Sequence, residues 1–460
     1  MTKDLTRGSA ARLIIGFAVP LLAGMLFQQM YNLVDTMIVG RFLGVTALAG
    51  VGATGSINFL VLGFCMGICS GFSIPVARCF GAKDGVRMRA YAANGMLVSC
   101  VFSLIIAVLT VCFCRQILQI METPVDCFEE AVQYIIVIFA GIPFSVLYNL
   151  ISGYLRSLGD SKTPLYFLIL SSFLNIALDL LLILVFHLGV AGAALATVIS
   201  QAVSGILCLC FVAKKVPALH IAREQWRIRP DYVAELCRCG IPMGLQYSIT
   251  AIGSVVMQTA LNSLGAVAVA ATTASGRVQG FLATPFDALG ATMATYGAQN
   301  VGANRYDRLN RGIVTASMMS FVYSAAAYAA VVFFGSQMVG LFITGEGGKE
   351  MIAMAQLYLT RNVMFYPWLA LVNIVRFMIQ GMGFSMLAIA AGVMEMIARS
   401  LTGVTIVPRY GFEGAALGNP LAWIAADLFL IPAYLICRRL LMSRVHHLHV
   451  QEKARPEKKK

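Results

Sequence analysis

The chain has 460 residues, 59% of them hydrophobic and only 12% charged, against roughly 45–50% and about 25% in an ordinary soluble domain. That balance excludes a soluble globular protein, and apolar runs follow one another so closely that no room is left for a large soluble domain. The net charge of +13 is no signal for nucleic acid, because the basic residues sit in short loops beside apolar runs and in a Lys-rich tail, where topology and anionic lipid explain them.

A bilayer core takes about 20 apolar residues of helix. Such runs occur at 13–39, 46–77, 90–113, 130–155, 163–186 and 190–213, then at 239–262, 266–298, 312–335, 351–381, 384–407 and 413–437. The expected fold is an all-α integral membrane protein of twelve transmembrane helices. The first run opens after Lys3, Arg7 and Arg12 and shows no small-residue cleavage site behind a short apolar core, so it is read as an uncleaved signal anchor. Most of the 34 Lys and Arg residues fall on one face of this layout. They lie at the N-terminus, in the second connection (Arg78, Lys83, Arg87, Arg89), in the fourth, sixth and eighth connections, and in the tail. The opposite face holds only Arg41, Arg115, Lys349, Arg361 and Arg409, and its third connection is acidic, with Glu122, Asp126, Glu129 and Glu130. Cytoplasmic loops carry the Lys/Arg excess, which places both termini in the cytoplasm and the chain in the inner (plasma) membrane. The twelve cysteines lie mostly inside apolar runs without the Cys/His spacing of a zinc site, and are read as small core residues.

The two halves resemble each other. Gly189-Val-Ala-Gly-Ala-Ala-Leu195 reappears as Gly411-Phe-Glu-Gly-Ala-Ala-Leu417, and Pro20 as Pro242, both 222 residues later. Phe80-Gly-Ala-Lys-Asp84 matches Val301-Gly-Ala-Asn-Arg305 at 221, and Pro143 with Gly159 matches Pro367 with Gly383 at 224. Six spans per half is an even number, so both copies enter the membrane the same way and form two pseudo-symmetric six-helix bundles. The expected organisation is an N-terminal lobe at 1–213, a cytoplasmic linker at 214–238, a C-terminal lobe at 239–440 and a basic cytoplasmic tail at 441–460.

With Pro20 to Asp35 in the first span, Gly81-Ala-Lys-Asp84 and Gln299-Asn300-Val301-Gly302-Ala303 in matching loops, and the Gly-Ala-Ala-Leu sixth and twelfth helices, the chain resembles the multidrug and toxic compound extrusion (MATE) family over almost its whole length. The resemblance implies a cation-coupled antiporter that exports organic cations by alternating access.

Carboxylates inside apolar spans cost at least about 2.5–3.5 kcal/mol each on insertion scales, and five stand there: Asp35, Asp179, Asp287, Glu395 and Asp427. Asn175 and Asp179 are one helical turn apart and share a face. Asp35 on the first helix and Thr197 on the sixth complete a set of carboxylate, amide and hydroxyl oxygens, hard ligands that suit Na⁺ or a shared proton. The alternative is that Asp35 and Asp179 are structural and held by hydrogen bonds to neighbouring helices. The resemblance implies the same group, since an Asp on helix 1, an Asn and Asp at i and i+4 on helix 5 and a Thr on helix 6 form the cation site of such transporters. These match Asp35, Asn175, Asp179 and Thr197, with Asn149 as a hydrogen-bonding partner. No acid lies between Gly240 and Gly265 on the seventh span, which speaks against a second coupling site there.

Glu395 and Arg399 are spaced i, i+4, which predicts an ion pair of structural or gating role. Asp287 belongs with them as structural or gating. Asp287 and Asp427 have no evident partner, with Arg277 and Arg376 as candidates. Pro20, Pro143, Pro242, Pro285 and Pro367 each remove a backbone hydrogen bond within a span, and Pro20 is the most attractive pivot. Gly50 to Gly55 satisfies GxGxxG inside an apolar helix with no preceding strand, a false match to a dinucleotide loop. Gly63, Gly67 and Gly71 have the spacing that lets membrane helices approach closely. Gln29, Met30, Tyr31, Met243, Gln246, Tyr247 and Met257 are candidates for an adaptable substrate cavity.

The expected function is secondary active export of small-molecule organic cations, coupled to H⁺ or Na⁺, by a monomer in the lipid bilayer. No cofactor is expected, and no metal beyond Na⁺ at Asp35, Asn175, Asp179 and Thr197. A flippase for lipid-linked saccharides is the rival, disfavoured because the spans hold only Arg277, Arg376 and Arg399 to meet a pyrophosphate. An enzyme would need a nucleophile or metal constellation, and the sequence offers neither.

Overall fold

The computed structural model describes residues 3–343 and 348–453, and among them there is no strand. Only helices satisfy their own backbone groups in hydrocarbon, and the apolar runs fold accordingly. We number the membrane helices α1 (Ala10–Phe42), α2 (Gly55–Gly81, preceded by a short helix Val45–Ala53), α3 (Gly85–Cys112), α4 (Val125–Ala140 and Ile142–Ser157), α5 (Lys162–Val185) and α6 (Gly189–Lys215). The second half supplies α7 (Pro230–Asn262), α8 (Ala266–Gly302), α9 (Asp307–Gly340), α10 (Lys349–Met364 and Tyr366–Gly381), α11 (Ser385–Ala416) and α12 (Gly418–Ser443). Nine of these are single helices long and apolar enough to cross a membrane, and the bent pairs α4 and α10 bring the number to eleven. The twelfth is α8, which has length to spare at 37 residues but is rich in Ala, Gly and Thr and carries Arg277 and Asp287.

The bends have a cause in the sequence. α4 turns by 47° at Gly141 and α10 by 49° at Phe365. Pro143 and Pro367 occupy the first turn of the piece that follows, where a missing N–H leaves no bond unmade. Pro20, Pro242 and Pro285 lie inside helices that run on unbroken. The GxGxxG match lies in helical backbone from Gly50 to Ala53 and from Gly55 onward, which is no phosphate-binding loop.

The repeat is also written in the backbone. Positive φ occurs at Gly44 and Gly265, Lys83 and Asn304, Gly159 and Gly383, and Gly189 and Gly411, at the same offsets as the sequence matches. A π-helical stretch ends α5 at Leu181–Val185, and another interrupts α11 at Thr402–Ile406.

The chain forms two compact units. The first comprises Lys3, Ile15–Phe80 and Asp84–Ala251, and the second Asp4–Ile14, Gly81–Lys83 and the chain from Ile252. In the first unit, α2 meets α7 through the glycine stripe. A Cβ on Gly67 would lie 2.6 Å from the Met243 carbonyl oxygen, and one on Gly71 would collide with Gly240. The segment between α6 and α7 docks on the end of α3. Asn94 donates to the Arg227 carbonyl and accepts from the Arg229 N–H, Glu235 accepts from Arg78 and Tyr91, and the Tyr91 and Tyr232 rings lie 4.5 Å apart. In the second unit, Leu5 is buried, its N–H donates to Gln299 Oε1 at 2.9 Å, and Asn300 Nδ2 donates to its carbonyl. The Gln299-Asn300 motif thus holds the segment preceding α1. Of the expected tail, residues up to 453 continue the last helix, and 454–460 lie outside the described residues.

Candidate functional site

In the first unit, α1, α4, α5 and α6 bring their polar side chains together within an apolar surround. Helical spacing aligns Tyr31 with Asp35, Asn175 with Asp179, and Thr197 with Gln201, each pair one turn apart. Asp179 is fully buried, and neither of its oxygens accepts a hydrogen bond from any donor among the described residues; the same holds for Asp35 Oδ1 and Asn175 Oδ1. The two carboxyl groups lie within hydrogen-bonding reach of each other. Asn175 Nδ2 donates to Thr197 Oγ1 at 3.3 Å, joining α5 to α6.

Electrostatics decides what this arrangement can do. Two carboxylates about 4 Å apart repel by about 4 kcal/mol even at an effective dielectric of 20, more than the net worth of any single hydrogen bond. Such a pair is stable only with a proton between its members or a cation beside it. The oxygens without donors, two on Asp179, one on Asp35 and one on Asn175, are the ligands a small hard cation takes.

The structure thus unites Asp35, Asn175, Asp179 and Thr197. The amide of Asn149 donates to Ser145 O of its own helix at 2.8 Å, one turn from the Ser145 hydroxyl that reaches Gln201. Four further residues join the group. Tyr31 shares a hydrogen bond with Gln201, Ser145 donates to Gln201 Oε1, and Tyr134 borders Tyr31 and both carboxyls. Gln201 follows Thr197 by one turn, the same signal that marks Asn175 and Asp179, and sequence reasoning passed over it. Tyr134 gives no signal, being one aromatic among many in an apolar run.

Of the proposed cavity residues, Tyr31 belongs to the carboxyl cluster, Gln29 is half-buried and Met30 is exposed. Met243 and Gln246 are buried, Tyr247 packs edge-on to Phe59, and Met257 lies in an apolar cluster of the second unit with Leu261, Val407 and Ala415. Pro20 is half-buried.

The second unit buries charges of both signs. Glu395 accepts from Arg399 Nη2 at 3.2 Å, as its i, i+4 spacing predicts, and also from Arg376 on α10. Arg399 Nε donates to Asn419 Oδ1 at 3.3 Å, and Asn419 donates on to Asn362 Oδ1 at 3.1 Å. Asp427 is fully buried near Arg376 and Glu395, with no donor on either oxygen among the described residues. Arg376 is therefore committed to Glu395, and Arg277 is exposed on α8. Asp287 makes no ion pair among the described residues; it is accessible although protein surrounds it, with Tyr366 as a neighbour. No group of three or more His, Cys, Asp or Glu among the described residues is placed to hold a metal ion.

Comparison with known proteins returns the internal repeat. The MatE family model matches twice, at residues 20–181 and 242–404. "Probable multidrug resistance protein YoeA" of Bacillus subtilis (strain 168) is 30% identical over 75% of this chain and 76% of its own length. "Probable multidrug resistance protein YpnP" of the same organism is 27% identical over 89% of each. A solved structure described as "Crystal structure of MATE in complex with MaL6" superposes with a TM-score of 0.90 over 96% of this chain and all of that one, at 22% identity.

Proposed function

Because the chain belongs to the MatE family of membrane transporters, we propose that it is a secondary active exporter that expels organic cations by alternating access, driven by H⁺ or Na⁺ bound in the first unit. The observation that carries this is the Asp35–Asp179 pair, two carboxyls in contact with three of their four oxygens lacking any donor among the described residues. A group that must hold a proton or a cation, and whose occupancy changes the charge inside helices α1 and α5, is what ion coupling requires. Ion and drug need not share atoms. An ion that favours one conformation lowers the affinity for drug by linkage.

Asp287 is the carboxylate we assign to the cationic group of the substrate, since it is accessible, makes no ion pair among the described residues and has Tyr366 beside it. We further propose a monomer in the inner membrane with both termini in the cytoplasm. The names of the relatives support drug export, and the Lys/Arg distribution supports the orientation.

The test is efflux of a fluorescent organic cation from cells or inverted vesicles, with the proton and Na⁺ gradients dissipated separately. Loss of efflux on dissipating one gradient is expected and names the ion. Efflux that ignores both gradients overturns coupled export and favours a flippase.

A further inference from the structure

The two units solve the same electrostatic problem in different ways, and the repeat allows them to be compared position by position. At the offset set by Pro143 and Pro367, Tyr134 corresponds to Tyr358 and Asn175 to Arg399; at the offset set by Pro20 and the Gly-Ala-Ala-Leu motif, Tyr31 corresponds to Gly253, Asp35 to Met257 and Thr197 to Asn419. The contacts agree with this register. In the first unit Asn175 Nδ2 donates to Thr197 Oγ1, and in the second Arg399 Nε donates to Asn419 Oδ1. The same helix-to-helix bridge is kept, with a guanidinium in place of an amide.

We infer that in the second unit the Arg399 guanidinium stands where the first unit takes its coupling ion, so that the chain has a single exchangeable cation site. Three observations converge on it. The carboxylates of the first site are gone from the corresponding places, Asp35 giving way to Met257 and Asp179 to Gly403. Room has been made for the longer side chain, because a Cβ on Gly253, where the first unit has Tyr31, would lie 3.6 Å from Arg399 Cδ and 3.1 Å from Met396 Cα. The charge has been supplied from within: Arg376 and Arg399 face Glu395, with Asp427 beside them, so this buried quartet already holds two guanidinium groups among its acids. An ion entering this quartet meets two cations that cannot leave, whereas one entering the first site meets only acids.

This rests on the coupled-export reading and goes beyond it by fixing the number of ions. The measurement is a count of ions bound to the purified full-length chain in lipid nanodiscs. The probes are ²²Na⁺ and, in parallel, protons released into weakly buffered solution when tetraphenylphosphonium is added. One ion per wild-type chain is expected, absent from Asp179→Asn and retained in Arg399→Lys and Asp427→Asn. Two ions per chain, or one that survives Asp179→Asn and disappears in Asp427→Asn, overturns the inference while leaving coupled transport standing. No ion in the wild type overturns both. The wild type and Asp179→Asn decide the matter even if the charge-cluster variants fail to fold. Gain of a second ion in Met257→Asp combined with Arg399→Asn further supports it.

Discussion

Asp179 and Glu395 are buried to almost the same degree, at 0% and 3% exposure, yet among the described residues one has no donor on either oxygen and the other has an arginine on each. Burial alone therefore does not tell a carboxylate left to take a proton or cation from one already paired; the neighbours do. Removing Asn175's amide with Asn175→Ala deletes one oxygen of the proposed ion site and the bond to Thr197, worth about 0.5–1.5 kcal/mol net. Ion binding measured by titration should weaken roughly two- to tenfold, with transport retained at saturating ion. Glu395→Gln should act on stability instead. It leaves two guanidinium groups facing an uncharged amide, and breaking a buried pair costs about 3–5 kcal/mol, which a lowered melting temperature of the purified protein will report. Asp287→Asn should raise the KM for a monovalent organic cation while leaving the ion count at one per chain. The i, i+4 spacing made Asn175 with Asp179 and Glu395 with Arg399 legible in advance. Gln201 could have been found the same way, from its one-turn spacing to Thr197, and Arg376 was foreseen only as a candidate partner of Asp287 or Asp427; Asn362 and Tyr134 gave no signal, since only packing between helices brings them in.

Among the elements, the apolar runs became helices because hydrocarbon permits little else, and their limits were foreseeable to within a few residues for most. What the runs did not reveal is where a span breaks. Prolines stand within most spans, yet the two bends above 40° among the described residues fall just before Pro143 and Pro367, because those prolines begin a new helix after Gly141 and Phe365, whereas Pro20, Pro75, Pro242, Pro285 and Pro432 sit in helices that continue past them. The α2 glycine stripe behaves as its spacing foretells. Gly67→Ala should force the Met243 carbonyl away and destabilise the first unit by about 1–3 kcal/mol, while Gly63→Ala, whose Cβ would sit 3.4 Å from Tyr247 Cβ, should be tolerated. Thermal unfolding followed by fluorescence-detected size exclusion separates the two.

Across the whole molecule, the orientation proposed from charge predicts that a reporter active only outside the cytoplasm is active when inserted at Asp126 and silent at Arg223. The reverse pattern would place the basic loops outside. The duplication, the number of spans and the polar residues to watch were all determined by the amino-acid sequence alone, because hydrophobic run length, period and repeat are local properties that survive without knowledge of contacts. The tertiary structure decided which of the five carboxylates within spans are buried, which of those are neutralised, and which are left without donors among the described residues. It also decided that the segment at Leu5 packs with Gln299 and Asn300, and that α7 up to Ala251 belongs with the first unit. Those outcomes depend on side chains hundreds of residues apart meeting in space, which no periodicity within one helix encodes.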